Sequence, residues 1–293
     1  MRDVIGIILS QGFIKIFSHV TVISDKAYNE ILYWLRNGRK PDIDNPNTFN
    51  EHVLAIKITE DGRSLTKYTD KLQVRGYVER MIGSQYLVPV LGIWEKARTI
   101  DFDSLPSQYI LKTNHGSGWN YIVHDSNQVR KNEVISYFSK AIKSNYYYKS
   151  REKNYKYINP KIICEKLLVP QNENGLIDVK FFCFIGRAEF YAISYENSEG
   201  RHYGLLEING EEIPIESHYL KISQIVPAYI IKKMISLSEK LAAPFKFVRV
   251  DFYLSDDDVY FSELTFHSGG GIRPIHPVEV DRCLGKYFKG EKK

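Results

Sequence analysis

The sequence predicts an α+β protein in which an antiparallel small lobe lies inside a larger one. Segments with helical spacing of apolar residues concentrate in the first third of the chain, and strand-like segments dominate the second half. At 293 residues the chain has room for one large domain or for two to three small lobes. Its 43% hydrophobic and 26% charged residues are typical of a soluble globular protein, which excludes a disordered or low-complexity chain.

The N-terminal apolar run, residues 4–9, is too short to span a bilayer and has no clear signal-peptide cleavage site after it. We therefore expect a cytoplasmic protein, and a loose contact of this run with the inner face of a membrane stays open. The three cysteines fit neither a disulfide framework nor a zinc site. Cys164 and Cys183 lie in apolar runs, which favours buried thiols in a reducing compartment.

Helical spacing follows at residues 24–37 and 66–82, with a turn-rich break between them and a short strand at 86–90. The later predicted elements are strand 109–112, a glycine-containing loop at 113–120, strand 121–123, helix 131–143, strands 162–165, 177–185, 188–195 and 203–208, helix 226–242, and strands 247–254 and 259–264. This order divides the chain into an N-terminal helical or α-β region (1–104), a small lobe (105–168) and a large lobe (169–293).

The first functional pattern is a strand that delivers Lys112 into a loop containing Gly116, Ser117 and Gly118. Backbone N–H groups of such a loop can surround phosphate oxygens, and the lysine adds a positive charge. The pattern is not a Walker A motif, because the lysine precedes the glycines. A glycine hairpin with a solvated lysine explains the same residues.

The second pattern is the last pair of strands. Residues two apart on a strand face the same side, so Arg249 shares a face with Asp251, and Glu263 shares one with Thr265. A hairpin turn near residue 256 places Asp251 nearly opposite Glu263, where two carboxylates repel one another unless a cation lies between them. Oxygen ligands of this kind suit Mg²⁺ that phosphates also hold. An edge hairpin with solvated charges is the alternative.

Two weaker patterns concern the nucleotide and the substrate. An apolar strand runs out into Glu165 and Lys166, and with Leu168 it resembles a hinge whose backbone could contact an adenine edge. Taken alone, this pattern favours an ordinary strand end with exposed charge. Lys180 alternates in phase with Asp178, so both side chains could reach the same cleft.

In this order the patterns resemble the ATP-grasp superfamily and, more narrowly, the teichuronopeptide-biosynthesis (TupA-like) ATP-grasp family. The resemblance runs from about residue 24 to near the C-terminus. The segments that carry it are residues 46–51, 69–75, 111–118, 145–148, 180–184, 248–251, 263–266 and 269–271.

The resemblance implies an ATP-grasp fold, with two α+β lobes clasping ATP and a reduced N-terminal helical region. It implies an ADP-forming carbon–nitrogen ligase in which a carboxylate becomes an acyl phosphate that an amine displaces. Lys71 and Lys112 would then hold the ATP phosphates under the loop of Gly116, Ser117 and Gly118. The other implied roles are adenine binding by Glu165, Lys166 and Leu168, Mg²⁺ binding by Asp251 and Glu263, and phosphate or substrate contacts by Arg249 and Lys180.

One departure from the family pattern concerns the third metal ligand, which is usually an Asn but is Thr265 here. A hydroxyl binds Mg²⁺ less strongly than an amide carbonyl, so metal binding by Thr265 is open. The following loop could bind the acceptor through Ser268, Gly269 and Gly270. His267 is a candidate base for the incoming amine, or a hydrogen-bonded loop histidine.

Residues 140–166 contain eight basic and two acidic residues, a net charge of +6, while the whole chain has +5. Five tyrosines lie there as well. Such a stretch suits an anionic sugar, with Arg151 and Tyr148 as substrate-binding candidates. Single-stranded nucleic acid suits it too, although the overall charge is too small to demand that partner and none is expected. A solvated lid helix with inward-facing tyrosines is the structural alternative.

The predicted function is therefore the joining of an amino acid to the carboxylate of a hexuronic acid in a cell-surface polysaccharide or its precursor, with ATP and Mg²⁺. The alternative is a glycosyltransferase of surface-polysaccharide biosynthesis. Its metal-binding Asp-x-Asp could come only from residues 101–103 or 256–258, both in predicted turns. A non-catalytic ATP-grasp module and a kinase are further alternatives, and the sequence leaves the oligomeric state open.

Overall fold

The computed structural model describes residues 2–20, 22–173, 175–217, 219–222 and 225–291. Within these residues the helices are α1 (Arg2–Phe17), α2 (Asp25–Asn37), α3 (Phe49–Thr59), α4 (Thr66–Thr69), α5 (Gln73–Ile82), α6 (Lys131–Ala141), α7 (Tyr146–Ser150), α8 (Ala228–Ala242) and α9 (Val278–Gly285). The strands are β1 (Val90–Trp94), β2 (Tyr109–Thr113), β3 (Asn120–Val123), β4 (Ile162–Lys166), β5 (Ile177–Phe184), β6 (Arg187–Asn197), β7 (Gly200–Glu207), β8 (Phe247–Ser255) and β9 (Asp258–Thr265). The strands form two antiparallel sheets, which confirms the predicted α+β class.

The smaller sheet has the strand order β1-β4-β2-β3. Its core lies between the sheet and α6, where Leu111 and Cys164 pack near Val134 and Phe138. The turn between β2 and β3 carries the predicted glycine loop. Strand β1 precedes residue 105, so the N-terminal region supplies one strand to this sheet, and the predicted domain boundaries stay predictions.

The larger sheet has the order β7-β6-β5-β8-β9 and two different faces. Side chains of Val179, Phe181, Val250 and Phe252 on one face pack with α5 and α8 in the largest apolar core. On the opposite face the rings of Phe182, Phe184, Phe190 and Phe247 pack with Phe49 of α3 and with α9. Alternation along β5 and β8 places Lys180, Arg249 and Asp251 on this second face, beside the aromatic core.

The structure differs from two sequence-based predictions near the smaller sheet. The helix predicted over 66–82 is broken between α4 and α5, because Asp70 turns its carboxylate to accept from the backbone N–H groups of Leu72 (2.8 Å) and Gln73 (3.4 Å). The strand predicted at 86–90 is wrong: residues 84–86 form a 3₁₀ turn and β1 begins at Val90. Proline at position 89 cannot donate a ladder hydrogen bond, which fits a strand that starts after it.

Helix α3 was not predicted, although its N-terminus has a complete capping box between Thr48 and Glu51. It packs against the 3₁₀ turn of residues 268–271, which follows β9. Lys57 donates to the carbonyl of Gly270 at 2.8 Å, and Asn50 donates to the carbonyl of Arg273 at 2.9 Å. Helix α3 therefore positions the loop that follows the predicted metal-binding strand.

The close approach of α3 to Gly271 yields a stability prediction. Gly271 has φ +69°, and a Cβ added there would lie 2.7 Å from the backbone nitrogen of Leu54 and 3.0 Å from the carbonyl oxygen of Asn50. Gly38 has φ +70° with nothing within 4 Å of such a Cβ. We expect Gly38→Ala to lower the free energy of unfolding by about 1 kcal/mol, from left-handed strain alone.

Gly271→Ala should cost roughly 3 kcal/mol or more, because the added methyl group also displaces helix backbone. Urea unfolding of both variants measures the difference, since the two positions share nearly the same φ. Equal losses for the two variants would show that α3 does not constrain the turn.

Candidate active site

A partly buried cluster of charges lies where β8 pairs with β9. Asp251 and Glu263 are direct partners in the register, as predicted, and Lys180 of β5 is the partner of Asp251 on the other side. Arg249 donates two hydrogen bonds to Asp251, from Nε to Oδ1 at 2.8 Å and from Nη2 to Oδ2 at 2.6 Å. The planar guanidinium thus meets the carboxylate in the bidentate geometry that favours strong pairing.

The same guanidinium contacts the remaining residues of the cluster. It donates to the hydroxyls of Ser268 and Thr265, both at 3.1 Å, and its Nη2 lies 3.6 Å from Oε1 of Glu263. Thr265 in turn donates to Glu263 at 3.1 Å. Thr265 therefore links the arginine to the carboxylate of Glu263, and its metal binding stays a prediction.

The pKa values of the two carboxylates of the cluster are shifted in opposite directions. Removal from water raises the pKa of Asp251 to about 6 even though Arg249 opposes the shift. Burial acts in the same direction on Glu263, but Lys71 and Arg249 together hold its pKa below the usual value. Burial therefore disfavours the charged form of Asp251, and an additional cation nearby would stabilise that form.

Lys180, the substrate-side candidate, forms an ion pair with Asp178 on its own strand. The Lys180 side chain is 20% exposed, and its charge lowers the pKa of both Asp251 and Glu263, although burial and other groups decide the net shifts. The predicted proximity of Asp178 and Lys180 is confirmed by this contact. Lys180 stands at the edge of the charge cluster, within its electrostatic reach.

The opposite side of the site lies on the smaller sheet. Nζ of Lys112 lies 2.6 Å from Oε2 of Glu165, and Nη1 of Arg75 lies 3.6 Å from Oε1 of the same carboxylate. Glu165 is 5% exposed, and a carboxylate buried to this extent is normally compensated by paired cations such as these two. Lys166 is exposed, and its backbone N–H donates to the carbonyl of Pro89 at 3.0 Å. Leu168 is half-buried. Adenine binding by these three residues stays a prediction.

Asn114 connects the glycine loop to its neighbours. Its amide nitrogen donates to Asp70 Oδ1 at 3.0 Å and to the carbonyl of Asn159 at 2.9 Å, while its Oδ1 accepts from the backbone N–H of Lys161 at 2.6 Å. The backbone N–H of Lys71 donates to the Asn114 carbonyl at 3.2 Å. One buried amide thus fixes three separate chain segments.

Lys71 lies between the two sheets. Its Nζ donates to the carbonyl of Gly116 at 2.7 Å, at the start of the exposed residues Ser117 and Gly118. Burial lowers its pKa, and Glu263 is the strongest of the neighbours that oppose this shift. Lys112 and Glu165 act on the same ammonium group. The structure therefore brings the phosphate candidates of the smaller sheet toward the carboxylates of the larger one.

Two tyrosines near the site were not predicted as site residues. The ring of Tyr146 lies 5.9 Å from the ring of Trp119 in the glycine loop and 4.8 Å from the ring of Tyr155. Burial raises the pKa of Tyr155 well above its usual value, and Glu152 and Glu263 add to the effect. The tyrosine-rich composition of this stretch was the available signal, but it did not distinguish these two rings from the other three.

Arg151 and Tyr148 contact the N-terminal helices instead of the charge cluster. Arg151 is 2% exposed and adopts φ +56°, and its Nη2 donates to the carbonyls of Ser18 (3.3 Å) and Val20 (3.1 Å). The Tyr148 ring lies 5.6 Å from that of His19. These contacts are structural, because they hold the segment after α1, and substrate binding by the two residues stays a prediction.

A second buried group of polar residues lies beneath the turn of Ser268, Gly269 and Gly270. His267 is 3% exposed, with Nδ1 3.4 Å from Oε2 of Glu152. Its Nε2 is buried without a hydrogen-bond partner among the described residues. Lys57 is 2% exposed, and burial lowers its pKa to about 8 against the opposing charges of Glu152 and Asp25. Neither Lys57 nor Glu152 was predicted, because each lies far in sequence from the loop it supports.

The donors at the β8–β9 pair fit Mg²⁺. Asp251 and Glu263 supply hard oxygen ligands at facing positions, and burial of Asp251 makes a nearby cation favourable. The described part of the chain contains no group of three or more His, Cys, Asp or Glu side chains arranged for a metal. Two carboxylates suit an ion that takes its remaining ligands from phosphates and water.

The exposed apolar residues of α1 include Ile5, Ile8, Leu9 and Ile16. In the ranges that the structure describes, no helix has the length and apolar character needed to cross a membrane. Contact of α1 with a membrane surface stays a prediction.

The two sheets, with a lysine and a glycine loop on one and paired carboxylates with an arginine on the other, are the arrangement expected of the ATP-grasp class. The chain belongs to the TupA-like ATPgrasp family, whose sequence model matches residues 51–289. This confirms the resemblance given by the sequence motifs.

Solved structures with a similar fold include D-alanine–D-alanine ligase from Bacillus anthracis, with 16% identity, TM-score 0.42, and coverage of 68% of this chain and 57% of that one. They also include an ADP complex of purK, N5-carboxyaminoimidazole ribonucleotide synthetase, at 14% identity, TM-score 0.43, and coverage of 69% and 46%. The ATP-grasp ligase PsnB, complexed with minimal precursor, has 7% identity, TM-score 0.42, and coverage of 89% and 68%. The chain thus spans just over half the length of the Bacillus ligase. No curated protein matches the sequence.

The buried ammonium group of Lys57 makes stability depend on pH in a defined direction. Its pKa is about 8 in the folded protein and 10.5 for an unperturbed lysine, so the unfolded chain binds more protons between these values and stability rises with pH. Lys57→Met removes this dependence. The free energy of unfolding of the variant minus that of the wild type should therefore fall by roughly 2 kcal/mol between about pH 7 and pH 10.

Urea unfolding across this pH range measures the effect. Lys232→Met, at an exposed position of α8, provides the matched control and should show a difference that does not change with pH. A pH-independent difference for Lys57→Met would mean that Lys57 is not buried in its charged form.

Proposed function

We propose that the protein is an ATP-dependent carboxylate–amine ligase that releases ADP and forms an amide through an acyl phosphate. The observation that carries the proposal is the Arg249–Asp251–Glu263 cluster, in which Asp251 is buried and Glu263 is 35% exposed, with Lys71 acting on Glu263 from the glycine-loop side. Phosphoryl transfer needs positioned positive charge on the transferring oxygens and little covalent chemistry from the protein. This site supplies such charge in a desolvated setting, where it has the largest effect.

The reaction has two steps. A carboxylate oxygen of the acid attacks the γ-phosphorus of ATP, the bond to the bridging oxygen breaks, and ADP leaves with that electron pair. The amine nitrogen then attacks the acyl carbon, the bond from carbon to the phosphate oxygen breaks, and the nitrogen loses a proton.

The residues of the site divide this work. Lys71 and Lys112 neutralise phosphate oxygens of ATP, and the loop of Gly116, Ser117 and Gly118 covers them. Arg249 stabilises the transferring phosphoryl group and the acyl phosphate, with Lys180 at the edge of the same cluster. Mg²⁺, held by Asp251 and Glu263, would supply further positive charge on the phosphate oxygens.

His267 would accept the proton of the amine. Its contact with Glu152 supports a tautomer with the hydrogen on Nδ1, because a carboxylate accepts that hydrogen bond. The unpartnered Nε2 then carries the lone pair that a base needs. Ser268, which accepts from Arg249, and the turn at Gly269 and Gly270 would border the acceptor.

We further propose that the acid is a hexuronic acid of a cell-surface polysaccharide or its precursor, and that the amine is an amino acid. The resemblance to the teichuronopeptide-biosynthesis family implies these substrates. A segment of net charge +6 at residues 140–166 supports an acidic acceptor, because clustered positive charge attracts carboxylates.

The glycosyltransferase alternative would need a metal-binding Asp-x-Asp in a site, and neither candidate pair lies in the charge cluster. Asp103 is exposed and pairs with Lys131 at 2.6 Å, outside the charge cluster. Asp256 lies in the exposed β8–β9 turn and accepts from the backbone N–H of Gln171 at 3.0 Å. Both aspartate pairs therefore lie in surface turns.

Glu263→Gln tests the proposed metal-binding carboxylate. The protein is incubated with ATP, Mg²⁺, a panel of amino acids and uronic acids, and release of ADP and phosphate is measured. We expect release that requires both an acid and an amine, and a loss of about 10²–10³-fold or more in the variant, because charge stabilisation at the phosphates is removed.

The exposed Glu211→Gln provides a control that should retain full turnover. Circular dichroism checks that the Glu263→Gln variant is folded. Near-normal ADP release from that folded variant would place the site elsewhere, and UDP release from a sugar nucleotide without ATP would support the glycosyltransferase.

His267→Asn separates the two chemical steps. Hydroxylamine traps an acyl phosphate as a hydroxamate and, being largely unprotonated at neutral pH, needs no base. The variant should retain hydroxamate formation while amide formation with an amino acid falls by about 10²–10⁴-fold. Arg249→Gln should lose both products. If His267→Asn leaves amide formation unchanged, His267 is only a structural loop residue.

A further inference from the structure

An open groove lies on the outside of the smaller sheet's lobe, between α6 and the 3₁₀ turn of residues 97–99. Its volume is about 540 Å³, within the range of ligand-binding sites. Ala97 shares the core beneath α6 with Val134 and Phe138, so the next residue, Arg98, stands beside the outer surface of that helix. The groove is therefore bounded by packed elements.

Three cations line this groove: Arg98, Lys140 and Lys143. No acidic side chain is among its lining residues, and within the described chain none of the three cations forms an ion pair. Neighbouring cations behave differently, since Lys131 pairs with Asp103 and Arg130 pairs with Glu133. The groove thus holds a charge of +3 that forms no ion pair with the residues that the structure describes.

The other polar lining residues can hydrogen-bond to a neutral ligand surface. They are Asn132, Ser136 and Ser139, and their spacing places them on the same face of α6 as Lys140. Cations together with hydroxyl and amide groups match a ligand that carries both carboxylates and hydroxyls. The lining contains no aromatic ring, although nucleic-acid bases bind single-strand sites largely by stacking on such rings.

We propose that this groove binds an acidic oligosaccharide, with Arg98, Lys140 and Lys143 holding successive carboxylates. It is a binding site outside the ATP cleft. The inference rests on the proposed function for the identity of the ligand, and it adds that the acceptor is a chain longer than the single sugar that reacts.

The groove helix also contacts the glycine loop. Tyr137, beside Ser136 on α6, donates its hydroxyl hydrogen to the carbonyl of Gly118 at 3.3 Å. A saccharide chain held on α6 would therefore be tethered on the lobe that covers ATP. Such tethering raises the local concentration of the reacting sugar without any new contact at the cleft.

Titration calorimetry without ATP tests the groove independently of ligation. Oligogalacturonates of increasing length serve as the acidic probe, and maltooligosaccharides of equal length serve as the neutral probe. The groove variant is Arg98→Gln, Lys140→Gln and Lys143→Gln combined. The matched control removes three charges from exposed positions elsewhere: Arg80→Gln, Lys232→Gln and Lys286→Gln.

We expect oligogalacturonate to bind more tightly as its length increases, with at least tenfold weaker binding to the groove variant and unchanged binding to the control. Equal binding by the groove variant and wild type, or equal losses in both variants, would overturn the proposal. Tighter binding of a thymidylate oligonucleotide of equal charge, lost in the groove variant, would replace it with a nucleic-acid surface. Intact groove binding without any ATP-dependent ligation would contradict the proposed function alone.

Discussion

The site depends on one buried ion pair, the bidentate contact of Arg249 with Asp251 on the larger sheet. A charged arginine on a largely desolvated sheet face requires a carboxylate, and this arginine in turn opposes the rise that burial causes in the pKa of Asp251. The remaining contacts follow from that pair, since Ser268 and Thr265 accept from two of the three other N–H groups of the guanidinium. The face can be charged here because the adjacent aromatic core, built around Phe49 and Phe182, fixes the same strands.

The proposed site between the two sheets also requires that the glycine loop and Lys71 keep a fixed relative position. Asn114 provides this constraint. By holding Asp70 and the chain at residues 159–161, this amide sets the position of the glycine loop and of Lys71 together. Lys71 then reaches Gly116 on one side and lowers the pKa of Glu263 on the other. In the proposed reaction, a lysine held in this way would neutralise phosphate with little loss of conformational entropy on binding.

The parts of the site that the sequence predicted are local or strand-paired. The β8–β9 hairpin has a short turn, so alternation alone was sufficient to place Asp251 opposite Glu263. The parts it missed join distant segments: Lys57 with Gly270, and Glu152 with His267. A periodic pattern contains no information on which distant polar residues meet in a core. The break at Asp70 was missed for another reason, because the local contacts of its carboxylate with the N–H groups of Leu72 and Gln73 leave the helical spacing of apolar residues unchanged.

The basic residues at 140–166 are close in sequence but have different roles in the structure. Arg151 holds backbone carbonyls near α1, Lys153 donates to the carbonyl of Ile58, and Lys161 lies 3.6 Å from Glu95, so these charges stabilise the fold. Lys140 and Lys143 line an open groove and have no such partners in the described chain. Of the tyrosines in the stretch, Tyr146 contacts Trp119 of the glycine loop, and Tyr155 packs against Tyr146 within the electrostatic reach of Glu263. Several basic side chains of this stretch are therefore used in contacts within the fold. Only those without such contacts, Lys140 and Lys143 among them, are available to attract the proposed anionic substrate.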